Sequence, residues 1–195
     1  IFHQNMVSPQ DADCILIGIP WDGTVSGRPG ARYGPRAIRS ATLDVEDYSP
    51  YLDRDISDIR ISDVGDMELP NGDTDIVLAH LRRSGAKVIA LGGEHLITLP
   101  AVEVLHEAYG ERLFIIQFDA HADLRDDYLG MRFSHATVMK HISQIVGMDN
   151  TAVIGIRSGT RDEWRLLRKH PHFFSGVPSL HVSDFVSFAR ENLSE

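Results

Sequence analysis

Cysteine is almost missing from this chain. Cys14 stands alone among 195 residues. One thiol cannot close an internal disulfide, which excludes a disulfide-stapled scaffold and favours a reducing, cytoplasmic setting. Long hydrophobic runs are missing too. No apolar stretch approaches the ~20 residues of a membrane-spanning helix, and no secretory leader is visible, so no membrane is expected as a partner. Positive charge is scarce: 19 Lys and Arg stand against 28 Asp and Glu, for a formal net charge of -9. No nucleic acid partner is therefore expected, and anionic lipid surfaces fit equally poorly. A cationic substrate or a metal suits the acidic balance better. There is no internal repeat, low-complexity tract or interdomain linker. What is left is an ordinary globular composition, 43% hydrophobic and 24% charged, on a length that suits one α/β domain.

Glycine is plentiful in one place, residues 21–34, which hold Gly23, Gly27, Gly30 and Gly34. These do not make a nucleotide fingerprint, because a phosphate-binding turn is short and runs straight into a helix. Apolar runs at 14–19, 88–91, 113–116 and 152–156 read as buried strands of a parallel sheet. Cys14 opens the first as a small core residue, and Pro20 stops it. The alternating stretch 59–64 predicts a strand near an edge, and 177–182 a further short strand. Residues 1–13 and 43–58 read as surface segments.

Helices are predicted in the gaps. Pro35 occupies a first helical position ahead of residues 36–39. A helix from Asp73 or Thr74 turns Ile76, Val77, Ala79 and Leu81 inward and closes at Gly85. Others are expected over 100–109, over 162–169, and from Ser134 as N-cap with Val138, Met139, Ile142 and Ile145 on one side. Asp184 is expected to cap a last helix holding Phe185, Val186, Phe188 and Leu193. Strands alternating with helices predict a three-layer α/β/α, doubly wound, mainly parallel sheet. Ligands in such a sheet bind beyond the carboxyl ends of the strands.

Two polar clusters lie at such ends. Gly92-Gly93-Glu94-His95 follows the strand at 88–91, and Asp119-Ala120-His121-Ala122-Asp123 follows the run at 113–116. Where a chain stays extended, residues two apart point the same way, so Asp119, His121 and Asp123 converge on one point. Two carboxylates and an imidazole there suit a divalent metal, and small Ala120 and Ala122 leave room for it. A solvated acidic turn has the same spacing. His95 reaches the same crevice if the two strands are neighbours, with Gly92 and Gly93 allowing a sharp turn; alone, it reads as a satisfied strand-end histidine. Nitrogen and carboxylate donors together suit Mn, Zn, Fe or Co better than calcium, and one bridging aspartate would permit two ions.

At these residues the chain resembles the ureohydrolase family of arginases, agmatinases and related guanidino hydrolases. The resemblance rests on Leu91-Gly92-Gly93-Glu94-His95, on Phe118 to Asp123, and on Ser134-His135-Ala136. The stretches Arg28-Pro29-Gly30-Ala31-Arg32-Tyr33-Gly34-Pro35-Arg36-Ala37-Ile38-Arg39 and Val153-Ile154-Gly155-Ile156-Arg157-Ser158 extend it over nearly the whole chain. It implies an arginase- or deacetylase-like fold and two Mn2+ ions per complete active site. His95 and Asp123 would bind the first ion, His121 the second, and Asp119 would bridge them. His135 would be the catalytic histidine that transfers a proton; by itself it reads as a solvent-facing helix-start residue. The substrate implied is a small cationic guanidino compound, cleaved to urea and an amine in a homo-oligomer, trimeric or hexameric. The segment 124–130 looks more like agmatinases than arginases. The Ser-Gly-Asn element by which arginases hold an α-carboxylate is not found, which favours agmatine, cleaved to putrescine and urea. Arginine and guanidinobutyrate are the alternatives within the family. A zinc deacylase on a related fold and a non-catalytic relative are the alternatives outside it.

One family motif is not found. Ureohydrolases carry a later Ser-x-Asp-x-Asp-x-x-Asp-Pro pattern whose aspartates complete both metal shells, followed by a glutamate that orients the guanidinium. Asp184 and Glu191 do not lie in such a pattern. The expectation is therefore that residues 1–195 are the amino-terminal part of a longer domain, with Asp119 and His121 alone on the second ion.

Overall fold

A computed structural model of the chain describes residues 6–68, 87–175 and 182–192. The chain divides into two compact units, Ile1–Val104 and Leu105–Glu195. In the first, six consecutive buried residues make β1 (Cys14–Ile19), with Leu16 wholly out of solvent. Full burial of such a side chain contributes roughly 1.5–3 kcal/mol, so this run anchors the unit. Among the described residues β1 lies in the middle of a parallel sheet, between β4 (Ile61–Asp66) and β5 (Lys87–Gly92). Ile17, Ile19, Met67 and Ile97 form its core, with Trp21 packed against them. The edge position expected for the alternating stretch is where β4 lies.

Helix α1 (Gly34–Ala41) has Pro35 in its first turn, as Pro's fixed φ favours. Arg39 fastens this helix to the end of β4. Its guanidinium grips Asp63 at 2.7 and 2.9 Å, donates to the Gly65 carbonyl at 3.1 Å and pairs with Asp66. The surface segment at 43–58 is more ordered than its composition suggests. It folds a short hairpin, β2 (Tyr48–Ser49) on β3 (Arg54–Asp55).

Helix α2 (Thr98–Tyr109) carries the chain into the second unit. There β6 (Ile115–Phe118), β7 (Thr151–Ile156) and β8 (Phe173–Ser175) form a parallel sheet in that order, with buried β7 central. Helices α3 (Val138–Val146), α4 (Arg161–Leu167) and α5 (Val182–Asn192) accompany it. Phe185 and Phe188 of α5 pack on Phe114, Phe118, His172 and Phe174, with ring centroids 4.5–5.9 Å apart. Among the described residues no helix is long and apolar enough to cross a membrane.

Several expectations need correction. The strand at 88–91 forms, but Val88 and Ile89 are exposed rather than buried. Strand β6 starts at Ile115, not Leu113, because the Leu113 N–H bonds back to Gly110 and closes a 3-10 turn. Its best-buried member is polar Gln117, while Phe118 is 70% exposed. Ser134 is not the N-cap of α3. That position is Thr137, and Ser134 lies buried in the preceding turn, its N–H given to the Thr137 hydroxyl at 2.9 Å. Helix α5 begins at Val182, which puts Asp184 inside the first turn, and Val186 faces outward. Val182 is thus helical, and the rest of the strand expected at 177–182 lies outside the described residues, as do the helix expected from 73 or 74 to 85 and Leu193.

A buried histidine ties β8 to β7. The His172 N–H donates to Nδ1 of His170 at 3.0 Å, so the proton of the neutral ring sits on Nε2 and goes to the Thr151 hydroxyl, 2.9 Å away. Thr151 passes its own proton to the Met148 carbonyl. Burial first, then His172, push the His170 imidazole below its ordinary 6.5, with Asp149 opposing. The unfolded chain therefore takes up the proton at higher pH than the folded one. Stability is full above 6.5 and is lost as pH falls through and below it. The urea midpoint should drop between about pH 8 and pH 5.5, and drop less in His170→Gln; equal drops would assign the titration elsewhere.

Candidate metal centre

The β6–β7 ladder does not stop where the strands do. The Asp119 N–H donates to the Ile154 carbonyl at 3.0 Å, and the Ala120 carbonyl accepts from Arg157 and Ser158 at 2.9 and 3.0 Å. His121 pairs with Ser158 in a parallel bridge. Gly155 makes this approach possible. It sits at φ +88 where the β7–β8 register shifts, and a Cβ there would lie 3.1 Å from the Asp119 carbonyl oxygen. The chain bends at Ala120 yet stays paired to the end of β7 through His121, and Gln117 adds a bond from its amide to the His121 carbonyl at 3.0 Å.

A second turn follows at Asp123. Asp123 has φ 52, the left-handed region that aspartate tolerates better than most residues. Its carbonyl accepts from the Lys140 N–H at 3.2 Å. The carboxylates of Asp119 and Asp123 nevertheless offer oxygens within 4.8 Å of each other. Oδ1 of Asp119 accepts the His121 N–H at 2.9 Å and lies 3.8 Å from His121 Nδ1. The second unit therefore gathers two carboxylates and an imidazole, Asp123 buried and His121 exposed. Of the three residues expected to converge, the two carboxylates are brought together, Asp123 by way of a turn, while His121 is placed by Asp119 alone. Hard carboxylate oxygens with one imidazole nitrogen fit Mn2+ and similar divalent ions.

His135 stands half-buried in the turn ahead of α3. The Tyr128 ring meets its imidazole edge-on, with centroids 5.4 Å apart. His95, in the first unit, opens a 3-10 turn (His95–Ile97) beyond β5. Its neighbour Glu94, which sequence reasoning left without a role, is buried and caps that turn. Glu94 accepts the Leu96 N–H at 3.0 Å, and on its other oxygen both the N–H and the hydroxyl of Thr24, at 3.0 and 2.5 Å.

The glycines before it are needed for contact rather than for a special dihedral, since neither has positive φ. A Cβ on Gly93 would fall 1.8 Å from the Trp21 carbonyl oxygen, which accepts the Glu94 N–H at 2.8 Å. The glycine-rich loop is itself folded by buried Asp22. That carboxylate accepts the Gly30 and Arg32 N–H groups and the Arg32 guanidinium. The Arg32 hydrogen bond above all holds its pKa down to about 2.

Sequence reasoning also missed Glu163, a buried acid under the Asp123 segment. It accepts the Leu124 N–H at 3.2 Å. Its signal was legible: Thr160-x-x-Glu163 is a capping box, and both halves of the box are formed.

The Arginase family model matches residues 12–185. The chain is 38% identical over 183 residues to the agmatinase of Bacillus subtilis (strain 168), covering 90% of this chain and 60% of that protein. It is 40% identical over 189 residues to the N(1)-aminopropylagmatine ureohydrolase of Thermococcus kodakarensis, covering 92% and 62%. The crystal structure of agmatine ureohydrolase of Thermoplasma volcanium superimposes with a TM-score of 0.82 at 28% identity, covering 98% of this chain and 67% of that one. The chain spans about three fifths of the length of the curated relatives it matches.

Gly93→Ala should force the Trp21 carbonyl and the start of the Glu94 turn apart. It is expected to cost about 1–3 kcal/mol of stability by denaturant unfolding, as overpacking does. An unchanged unfolding free energy would show that the contact relaxes freely.

Proposed function

The chain belongs to the arginase family and has its α/β fold, and from that premise we propose that it works as a guanidino ureohydrolase, cleaving agmatine to putrescine and urea. The observation that carries the reading is the pair of carboxylates beyond the carboxyl end of β6, Asp119 and Asp123, whose oxygens lie within 4.8 Å of each other, with His121 beside Asp119. It lies in a chain 38% identical to a protein named agmatinase. The relative named for N(1)-aminopropylagmatine is about as similar, so an agmatine extended at its amine is the second substrate to test.

In this reading Asp119, His121 and Asp123 would supply ligands to a manganese site, to which the family resemblance adds His95; a complete site would hold two ions. A guanidinium carbon is a poor electrophile, stabilised by resonance and positive charge. When bound, the metal pair supplies the charge that brings the pKa of a water molecule toward neutrality. The chain's own residues do the rest. The carboxyl groups of Asp119 and Asp123 supply oxygen ligands, and Asp119 is linked to His121 through its bond to the His121 N–H. The imidazole of His135 supplies the proton that the departing amine nitrogen needs when the tetrahedral carbon collapses. A homo-oligomer, trimeric or hexameric, working in the cytoplasm completes the proposal.

The full-length protein, loaded with Mn2+, should release urea from agmatine. No urea from agmatine, N(1)-aminopropylagmatine, guanidinobutyrate or arginine would sink the reading. Asp119→Asn should lower the manganese bound per chain, measured by elemental analysis after dialysis; full retention would remove Asp119 from the site. His135→Asn should keep its metal and lose roughly 10²–10⁴-fold in kcat, the usual range for a proton-transfer group. A kcat within twofold of wild type would rule out that role for His135.

A further inference from the structure

Between the metal-site aspartates and His135 the chain makes a closed excursion, residues 124–135, and its fastening runs to a residue far away in sequence. At its base the Arg125 N–H donates to the Ala136 carbonyl at 3.3 Å, next to His135 itself. At its tip Tyr128 and Met131 exchange two backbone hydrogen bonds of 2.9 Å across a tight turn, with Leu129 and Gly130 both at positive φ. Neither feature orients the Tyr128 ring. That falls to the Arg125 guanidinium, whose central carbon lies 4.8 Å from the ring centroid. Arg125 is placed in turn by Glu163, with Nε 3.4 Å from Oε2.

Glu163 is suited to this. Its carboxylate is buried, and both oxygens are committed. Oε2 accepts the Thr160 N–H and hydroxyl at 2.8 and 2.9 Å, and Oε1 accepts the Leu124 N–H at 3.2 Å. A carboxylate so fixed offers Arg125 a single location for its charge.

We propose that Glu163 is a positioning residue, which through Arg125 holds the Tyr128 ring against His135 and so sets the orientation of that imidazole. The proposal rests on the role given to His135 above. Glu163 does not itself touch reacting atoms. It acts through a contiguous chain of an ion pair, a cation–ring contact and an edge-to-face ring contact. A neutral glutamine of the same size breaks the first link. Its amide must turn N–H either toward the Leu124 N–H or toward Thr160 and Arg125, which share one oxygen, and in both orientations the ion pair with Arg125 loses its charge.

The test uses ring-proton NMR on the full chain, because an aromatic edge contact shifts the resonances of the facing imidazole. The His135 signal is identified by its loss in His135→Asn, and Tyr128→Leu defines its position without the tyrosine. Glu163→Gln and Arg125→Lys should each move the His135 signal most of the way to the Tyr128→Leu position. Arg165→Ala, which removes an exposed pair with Asp162 on the same helix, should leave it in place. With agmatine, Glu163→Gln should lower kcat on the order of tenfold and leave KM nearly unchanged, the pattern of a misplaced reacting group.

The proposal is overturned if Tyr128→Leu does not move the His135 signal. It is equally overturned if Glu163→Gln and Arg125→Lys leave the signal at its wild-type position. Should Glu163→Gln not fold, Arg125→Lys, at a half-exposed site, decides alone. Absence of urea from wild type would defeat the proposed function while leaving the NMR comparison able to decide this one.

Discussion

The hydrogen-bond ladder between β6 and β7 overruns both strands, and the candidate metal centre hangs on that overrun. A side chain at the end of a strand is only as well placed as the last backbone bond behind it. Here the bonds continue through Asp119 and Ala120 to Ser158. They fix the backbone at Asp119 and His121, which the bond from the His121 N–H to the Asp119 carboxylate also links. Preorganisation of this kind means that binding need not order the ligands as well. Gly155 is the residue that permits it, since a side chain there would press on the Asp119 carbonyl.

The first unit uses a comparable device with different parts. Strand β5 ends in Gly92 and Gly93, and the close approach of Gly93 to the Trp21 carbonyl leads into the Glu94 cap. Glu94 ties two distant segments together, the turn bearing His95 and the loop at Thr24. Buried Asp22 does similar work within the glycine-rich loop. In both units a buried carboxylate organises the backbone around residues proposed to bind metal. Glu94 and Glu163 each make three or more hydrogen bonds or ion pairs, which is how a buried acid offsets its lost hydration.

Much of the fold was readable residue by residue. β1 lies where its apolar run lies, Pro35 opens α1, and β4 takes an edge position. The failures share a cause. Apolar runs at 88–91 and 113–116 mark strands correctly but not their burial, because side-chain burial depends on what packs over each face. The Ser134 cap failed because a serine hydroxyl fits several local hydrogen-bonding patterns equally well, and here Thr137 holds the cap position. The capping box at Thr160 and Glu163 could have been read from its spacing, yet nothing local says that Glu163 also reaches Leu124 and Arg125.

The sequence by itself determined the chemistry available: an Asp-x-His-x-Asp run at a strand end, a second histidine after paired glycines, and the family to which these belong. Those are local facts, set by residue type and by the two-residue repeat of extended chain. The tertiary structure alone decided how Asp123 reaches Asp119, by a left-handed turn held from α3 rather than by continued alternation. It alone brought Glu163 beneath the Asp123 segment, 39 residues away in sequence. A hydrogen bond between groups so far apart exists only once the sheet and its helices have packed, and no local pattern of residues encodes it.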